Sequence, residues 1–374
     1  MDRIPVVDLF SGCGGLGIGA RMAGADVRLS VDFDAASCRT LRANPTEVSG
    51  QVLQADVRAL HGATVREAAG LSPSDPLLVI GGPPCQGFSK AAYWMEDGDE
   101  ARYRQARTRG DALERPSQAP RAPDSRRQLV GEFWRVVNEA KADAFVFENV
   151  PSILHPRNRG FIDGLLELAN EAGYQCRVAR VNAVEFGVPQ ARHRVVVVGA
   201  KAGMPSMPTL THADPHRPGP GLLPAVTAGA ALAGVTPLAP TEREEVVEGR
   251  WARHLRDVPP GRNYKFHTAW AGHPEPTFVA EQRFWNFLLK LDPELPSWTI
   301  PANPGPWVGP FHWDARRLRT AELAALQGFP VDYHFEGDRR ERVRQIGNAV
   351  PPPLAAHVVG IALDAMSGVT RRVA

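Results

Sequence analysis

Cys85 closes the run Leu77-Leu-Val-Ile-Gly-Gly-Pro-Pro-Cys85, where a short apolar stretch meets two glycines and two prolines. Reactive groups of open α/β sheets sit just beyond the carboxyl ends of strands, so a cysteine at this rigid turn is placed as a nucleophile. A lone cysteine more often packs as a small apolar residue, and Cys85 by itself does not decide between the two. Glu148 ends a second apolar run, Ala144-Phe-Val-Phe-Glu148. Burial there disfavours its charged form and suits it to act as a general acid toward an electron-poor ring. The competing role is an ion pair with an arginine of Gln190-Ala-Arg-His-Arg194, and spacing leaves both open.

A third feature is the turn Asp8-Leu-Phe-Ser-Gly-Cys-Gly-Gly-Leu-Gly17, containing Ser11, Gly12, Gly14 and Gly15. Such turns let a ligand approach the backbone at a helix N-terminus, but dinucleotide, nucleoside and phosphate binders all use them. Asp32 ends the next strand and can accept hydrogen bonds from a ribose diol. Asp56 follows the third strand, within reach of an adenine amino group. Either could instead be a helix cap or turn former. In succession they favour an adenosine-containing cofactor.

The elements that must hold these groups alternate strand and helix through residue 200. Strands are expected at Val6–Phe10, Val27–Val31, Gln51–Ala55, Leu77–Ile80, Ala144–Glu148, Tyr174–Asn182 and Arg194–Gly199. Leu129, Val130, Phe133, Val136, Val137 and Ala140 fall at helical spacing. This is the pattern of a doubly wound α/β domain. From 201 the rhythm is lost, and 241–313 hold six of the eight tryptophans. The division expected is 1–200 catalytic and cofactor-binding, 201–340 a smaller irregular domain, and 341–374 a C-terminal helix. Trp285 and Trp298 are expected in the core of the middle domain, where Asn263, Lys265, Gln282 and Arg283 are candidates for nucleic-acid contacts.

The chain has 374 residues, 43% hydrophobic and 22% charged, with a formal charge of +2, so any basic surface is local. Residues 91–127 start acidic and then carry eight arginines, favouring a mobile loop that closes over a polyanion. The four cysteines lack Cys-x-x-Cys spacing, arguing against zinc or disulfides and for a reducing compartment. No metal is expected. With no signal-peptide pattern and no apolar run of about 20 residues, a cytoplasmic protein off the membrane is expected.

Six elements, in order, resemble the DNA (cytosine-5)-methyltransferase family of the prokaryotic type. They are Asp8-Leu-Phe-Ser-Gly-Cys-Gly-Gly15, Pro83-Pro-Cys-Gln-Gly-Phe-Ser89, Glu148-Asn-Val150, Gln190-Ala-Arg-His-Arg194, Arg316-Arg-Leu-Arg-Thr320 with Leu326-Gln-Gly-Phe-Pro330, and Gln345-Ile-Gly-Asn-Ala-Val-Pro351. The resemblance implies an S-adenosylmethionine-dependent methyltransferase fold, a doubly wound, mostly parallel sheet, with a target-recognition domain in 201–340 and the C-terminal helix of 341–374, through Asn348, returning to the catalytic domain. It implies that Cys85 attacks carbon 6 of a flipped-out cytosine and that Glu148 holds or protonates ring nitrogen 3. Arg192 or Arg194 would help form the thiolate. Phe10 would pack on the adenine, Asp32, where many members carry glutamate, would bind the ribose, and Phe33, Asp56, Val57, Pro84, Leu129 and Asn348 would line the cofactor site.

The implied partner is double-stranded DNA, bound by a monomer, with a cognate restriction endonuclease as a possible companion. One branch of the fold methylates transfer RNA with the same residues, but it carries a Cys-Phe-Thr tripeptide that this chain lacks. A non-catalytic DNA-binding relative would not require Cys85, Glu148, Arg192 and Arg194. A nicotinamide dehydrogenase would leave the Pro-Cys-Gln and Glu-Asn-Val elements unexplained.

Overall fold

A computed structural model describes residues 3–84 and 128–368. Cys85 and the arginine-rich segment of 91–127 lie outside the described residues. Strand and helix alternate as β1 (Pro5–Leu9), α1 (Gly15–Met22), β2 (Asp26–Asp32), α2 (Ala35–Ala43), β3 (Gln51–Gln54), α3 (Gly62–Ala68), β4 (Leu78–Gly81), α4 (Leu129–Glu139), β5 (Ala144–Asn149), α5 (Arg159–Glu171), β6 (Gln175–Asn182), the short β7 (Gln190–Ala191) and β8 (His193–Ala200). One seven-stranded sheet runs β3-β2-β1-β4-β5-β8-β6. Its first five strands are parallel, and β8 is antiparallel to both neighbours. The doubly wound, mostly parallel sheet is as expected. The reversed β8 follows from chain length: residues 183–192 are too few for the crossover of a dozen or more that a parallel neighbour needs.

Side chains alternate across the sheet with period two. Val7, Leu9, Phe145 and Phe147 pack under α4 and α5. Val6, Ile80 and Val146 pack under α1 and a C-terminal helix. That helix and the rest of the described chain comprise α6 (Ala228–Ala233), α7 (Ala252–Asp257), β9 (Ser297–Trp298), α8 (Thr320–Gln327), α9 (Arg339–Asn348) and α10 (Pro352–Met366). Proline opens α10, where a missing N–H costs nothing. Leu354, Val358 and Ile361 then face α1 and the sheet. The approach is close: a Cβ on Gly15 would stand 2.1 Å from the Val350 carbonyl oxygen, and one on Gly19 2.3 Å from Ala355 Cβ. Although no spanning run was expected, 339–366 is long and apolar enough by composition to cross a membrane. It is two helices broken at 349–351, largely buried in the protein's own core.

Residues 247–315 have an apolar cluster of their own, with Leu255, Tyr264, Phe278, Leu288 and Phe311 buried and Trp251 and Trp307 packed against it. Trp298 is partly buried against another cluster, whereas Trp285, expected in the core, is 52% exposed.

An ionic network fixes the Arg316–Thr320 segment. Arg316 makes a two-pronged contact with the fully buried Glu322, at 2.8 and 2.7 Å. Thr236 Oγ1 and the Arg319 amide also donate to Glu322, and Arg319 pairs with Glu245 at 2.7 Å. Burial alone would raise the Glu322 pKa, but Arg316 and these donors hold it below the usual range. Removing one partner of such a pair strands the other charge. Glu322→Ala is therefore expected to cost about 3–5 kcal/mol, read as a lower urea midpoint at unchanged slope; a loss below about 1 kcal/mol, the scale of a solvent-exposed pair, would contradict this assignment.

Candidate active site

A cleft of about 570 Å³ opens at the carboxyl ends of β1, β2, β4 and β5. Its wall includes Phe10, Ser11, Gly12, Gly15, Asp32, Phe33, Asp56, Val57, Pro84, Leu129, Glu148, Arg192, Arg194 and Asn348. Gly14 does not line it. That residue has φ +90° and stands at the N-cap of α1, where glycine is favoured on backbone grounds. Pro84 is the last described residue before Cys85.

Asp32 is fixed by two backbone donors: the Gly12 amide to Oδ2 at 2.7 Å and the Asp34 amide to Oδ1 at 2.8 Å. Each oxygen retains acceptor capacity, as a ribose diol requires. Burial keeps its pKa raised despite these bonds. Phe33 is 76% exposed, a flat apolar face open to a ring. Gly12, at φ +53°, has no atom within 4 Å of where a Cβ would stand, which leaves its backbone open to a ligand. Phe10 adopts φ +56°, a conformation that non-glycine residues hold chiefly at functional positions. This donor set fits a nucleoside.

Two expected binders have structural partners. Ser11 turns its hydroxyl inward, to the Asp8 and Val31 carbonyls. Asp56 caps the turn at Val57–Ala59 and pairs with Arg58 at 3.2 Å, the alternative weighed for it. Sequence reasoning missed Arg344, which lines the cleft and reaches Asp34 at 2.9 Å. Its place one residue before Gln345-Ile-Gly-Asn was the available signal.

The cleft floor carries the charges. Glu148 is 8% exposed, and its Oε1 lies 2.7 Å from Arg194 Nε, an ion pair without an aligned hydrogen bond. Burial raises the Glu148 pKa, and the charges of Arg194 and then Arg192 partly offset it. The neighbouring Asn149 amide donates to the Pro83 carbonyl at 3.1 Å, so β5 positions both the acid and the approach to Cys85. Arg192 donates to the carbonyls of Gly347 and Ala349 at 2.8 and 3.0 Å. Gln190 joins the same knot by bonding Gln327 Oε1 at 2.6 Å, while Gln327 reaches the Ala349 carbonyl at 2.6 Å. Three motifs that are distant in sequence meet at this point.

Asp8, on β1 beneath the cleft, is fully buried, and among the described residues its carboxyl has no aligned hydrogen bond, the Gly17 amide being its backbone neighbour. Burial and then the Asp32 charge push its pKa well above the usual range. The folded protein therefore holds a proton that the unfolded chain releases. The associated stability is full below the unfolded pKa near 4 and is lost as pH rises toward the folded value. Asp8→Asn mimics the protonated form. Its melting temperature is expected to decline less than that of wild type from about pH 4 to neutrality; parallel curves would contradict this.

Residues 4–218 and 302–361 match the family model for C-5 cytosine-specific DNA methylase. The chain belongs to this family. It is 38% identical to the Type II methyltransferase M.SacI of Streptomyces achromogenes, covering 96% of this chain and 92% of that one. It is 30% identical to M.NgoFVII of Neisseria gonorrhoeae, covering 94% and 84%. In fold it is similar to a prophage-encoded E. coli DNA modification methyltransferase, with TM-score 0.66, 22% identity and coverage of 97% and 99%. The S. pombe Dnmt2 structure matches at TM-score 0.56 and 14% identity, covering 97% and 99%. The protein is a cytosine-5 DNA methyltransferase of the Type II kind. The cleft is thus the candidate active site of a DNA cytosine-5 methyltransferase, and the family and its fold generally use S-adenosylmethionine.

Proposed function

We propose that the enzyme methylates a flipped-out cytosine within a specific duplex sequence, through a transient bond between Cys85 and carbon 6. The observation that carries this reading is the buried Glu148 beside Arg194, on the strand whose next residue holds the Pro83 carbonyl two residues before Cys85. S-adenosylmethionine, when bound, supplies an electrophilic methyl group. Phe10 would pack on its adenine, Asp32 would bind its ribose, and Phe33 and Asn348 would line the rest of the site.

Cytosine carbon 5 is a weak nucleophile while the ring is aromatic. Addition of the Cys85 thiolate at carbon 6, with Glu148 giving a proton to nitrogen 3, leaves an enamine whose carbon 5 can take the methyl group. Loss of the carbon 5 proton then expels the thiolate and returns the proton from nitrogen 3. A base inside a duplex is out of reach, so the target must leave the stack. Residues 1–200 and 341–374 would carry this chemistry, and 201–340 would select the target. A role beside a restriction endonuclease follows the Type II relatives.

A duplex with 5-fluorocytosine at the target tests the reading. Fluorine at carbon 5 cannot leave as a proton does, so the adduct persists after methyl transfer. A denaturation-resistant complex mapping to Cys85 is expected. Equal methylation of transfer RNA and DNA, or methyl transfer with no adduct, would overturn it.

A further inference from the structure

Of the four middle-domain residues singled out as nucleic-acid contacts, the structure separates two from the others. Asn263 spends its amide on the Trp285 carbonyl at 2.6 Å and its oxygen on the Lys265 amide. Lys265 is half-buried, with its ammonium over the Trp270 ring. Gln282 and Arg283 instead lie in an unbroken exposed run, 281–285. We infer that the 281–285 loop is the base-reading element, that Gln282 and Arg283 contact base edges of the target duplex, and that buried Tyr264 is the positioning residue that fixes them. This inference rests on the function proposed above.

Three observations carry it. First, the loop backbone is anchored although its side chains are exposed. The Tyr264 hydroxyl, on a side chain with no solvent exposure, donates to the Arg283 carbonyl at 3.0 Å and accepts from the Glu281 amide at 2.9 Å. Glu281 is held at φ +69°, a left-handed backbone that a non-glycine residue keeps only when its surroundings impose it. The Arg283 guanidinium stands over the Phe287 ring, 5.8 Å from its centroid. Second, the loop displays Phe284 and Trp285, 63% and 52% exposed, beside the amide of Gln282 and the guanidinium of Arg283. Glutamine and arginine are the side chains whose paired donors and acceptors match adenine and guanine edges.

Third, packing links the loop to the short strand β7, which precedes Arg192. Trp285 contacts Trp298 with ring centroids 6.0 Å apart. Trp298 pairs through β9 with Ala191 in β7, the residue before Arg192. Arg192 lines the cleft that holds Glu148, so the loop is tied to the cleft wall, and the negative charge of a duplex complements Arg283.

The test measures kcat/KM on the preferred duplex and on its single-base variants for wild type, Gln282→Ala, Arg283→Ala and Tyr264→Phe, with cofactor affinity measured alongside. Gln282→Ala and Arg283→Ala are expected to narrow discrimination roughly 10- to 100-fold at one or two base pairs, leaving other positions and cofactor affinity unchanged. Tyr264→Phe should narrow it at the positions affected by both. Gln282→Ala alters only a solvent-facing side chain and Arg283→Ala removes one exposed stacking contact with Phe287, so the test survives if Tyr264→Phe unfolds. Uniform weakening on all sequences would mark phosphate contacts and overturn the inference, as would unchanged discrimination. Wild type that fails to methylate any duplex would instead overturn the proposed function.

Discussion

Cys85→Ser is expected to lower single-turnover methyl transfer to duplex DNA by on the order of 10⁴-fold or more, the scale for removing a covalent nucleophile. A serine hydroxyl in this position forms no useful population of anion, whereas a thiol with an ordinary pKa of about 8.5 ionises readily beside positive charge. Most of the residues proposed to hold the cofactor, Phe10, Asp32, Phe33 and Asp56 among them, lie on elements other than the turn of Cys85, so affinity for S-adenosylmethionine should stay within a few-fold. Transfer rates within tenfold of wild type would remove covalent addition from the mechanism.

Glu148→Gln is expected to reduce kcat by about 10²–10⁴-fold, the usual worth of a positioned general acid. An amide can still donate a hydrogen bond to ring nitrogen 3 but cannot give up its proton. The pH profile provides a sharper readout. Burial raises the Glu148 pKa, so wild type keeps the active, protonated form to higher pH than an exposed glutamate would and loses it as pH rises through that value. Thiolate formation rises with pH, which makes the wild-type profile bell-shaped. Glu148→Gln should lose the alkaline fall and retain the rise. A profile with the same alkaline limb in both proteins would mean that Arg194 holds Glu148 as a plain carboxylate.

Much of this site was legible before the fold was known, because its groups occupy local positions. Asp32 and Glu148 end strands whose apolar runs are explicit, and the Gly-rich turn follows β1 directly. Long-range partners were not legible. Nothing in Gln190-Ala-Arg-His-Arg194 says that Arg194 turns to Glu148 while Arg192 turns to the carbonyls of Gly347 and Ala349. Arg192 just precedes β8 and Arg194 lies within it, and both line the cleft, but the split depends on where α9 ends. The inward turn of the Ser11 hydroxyl and the exposure of Trp285 are likewise decided by tertiary neighbours. The reversed β8 could have been read from its ten-residue connection to β6.

Bisulfite sequencing of plasmid DNA from cells expressing the protein tests the central claim most directly, since 5-methylcytosine resists conversion. Protected cytosines at one position of one short sequence, present with wild type and absent with Cys85→Ser, are the predicted result. Complete conversion with both proteins, or the same protected cytosines with both, would contradict the account.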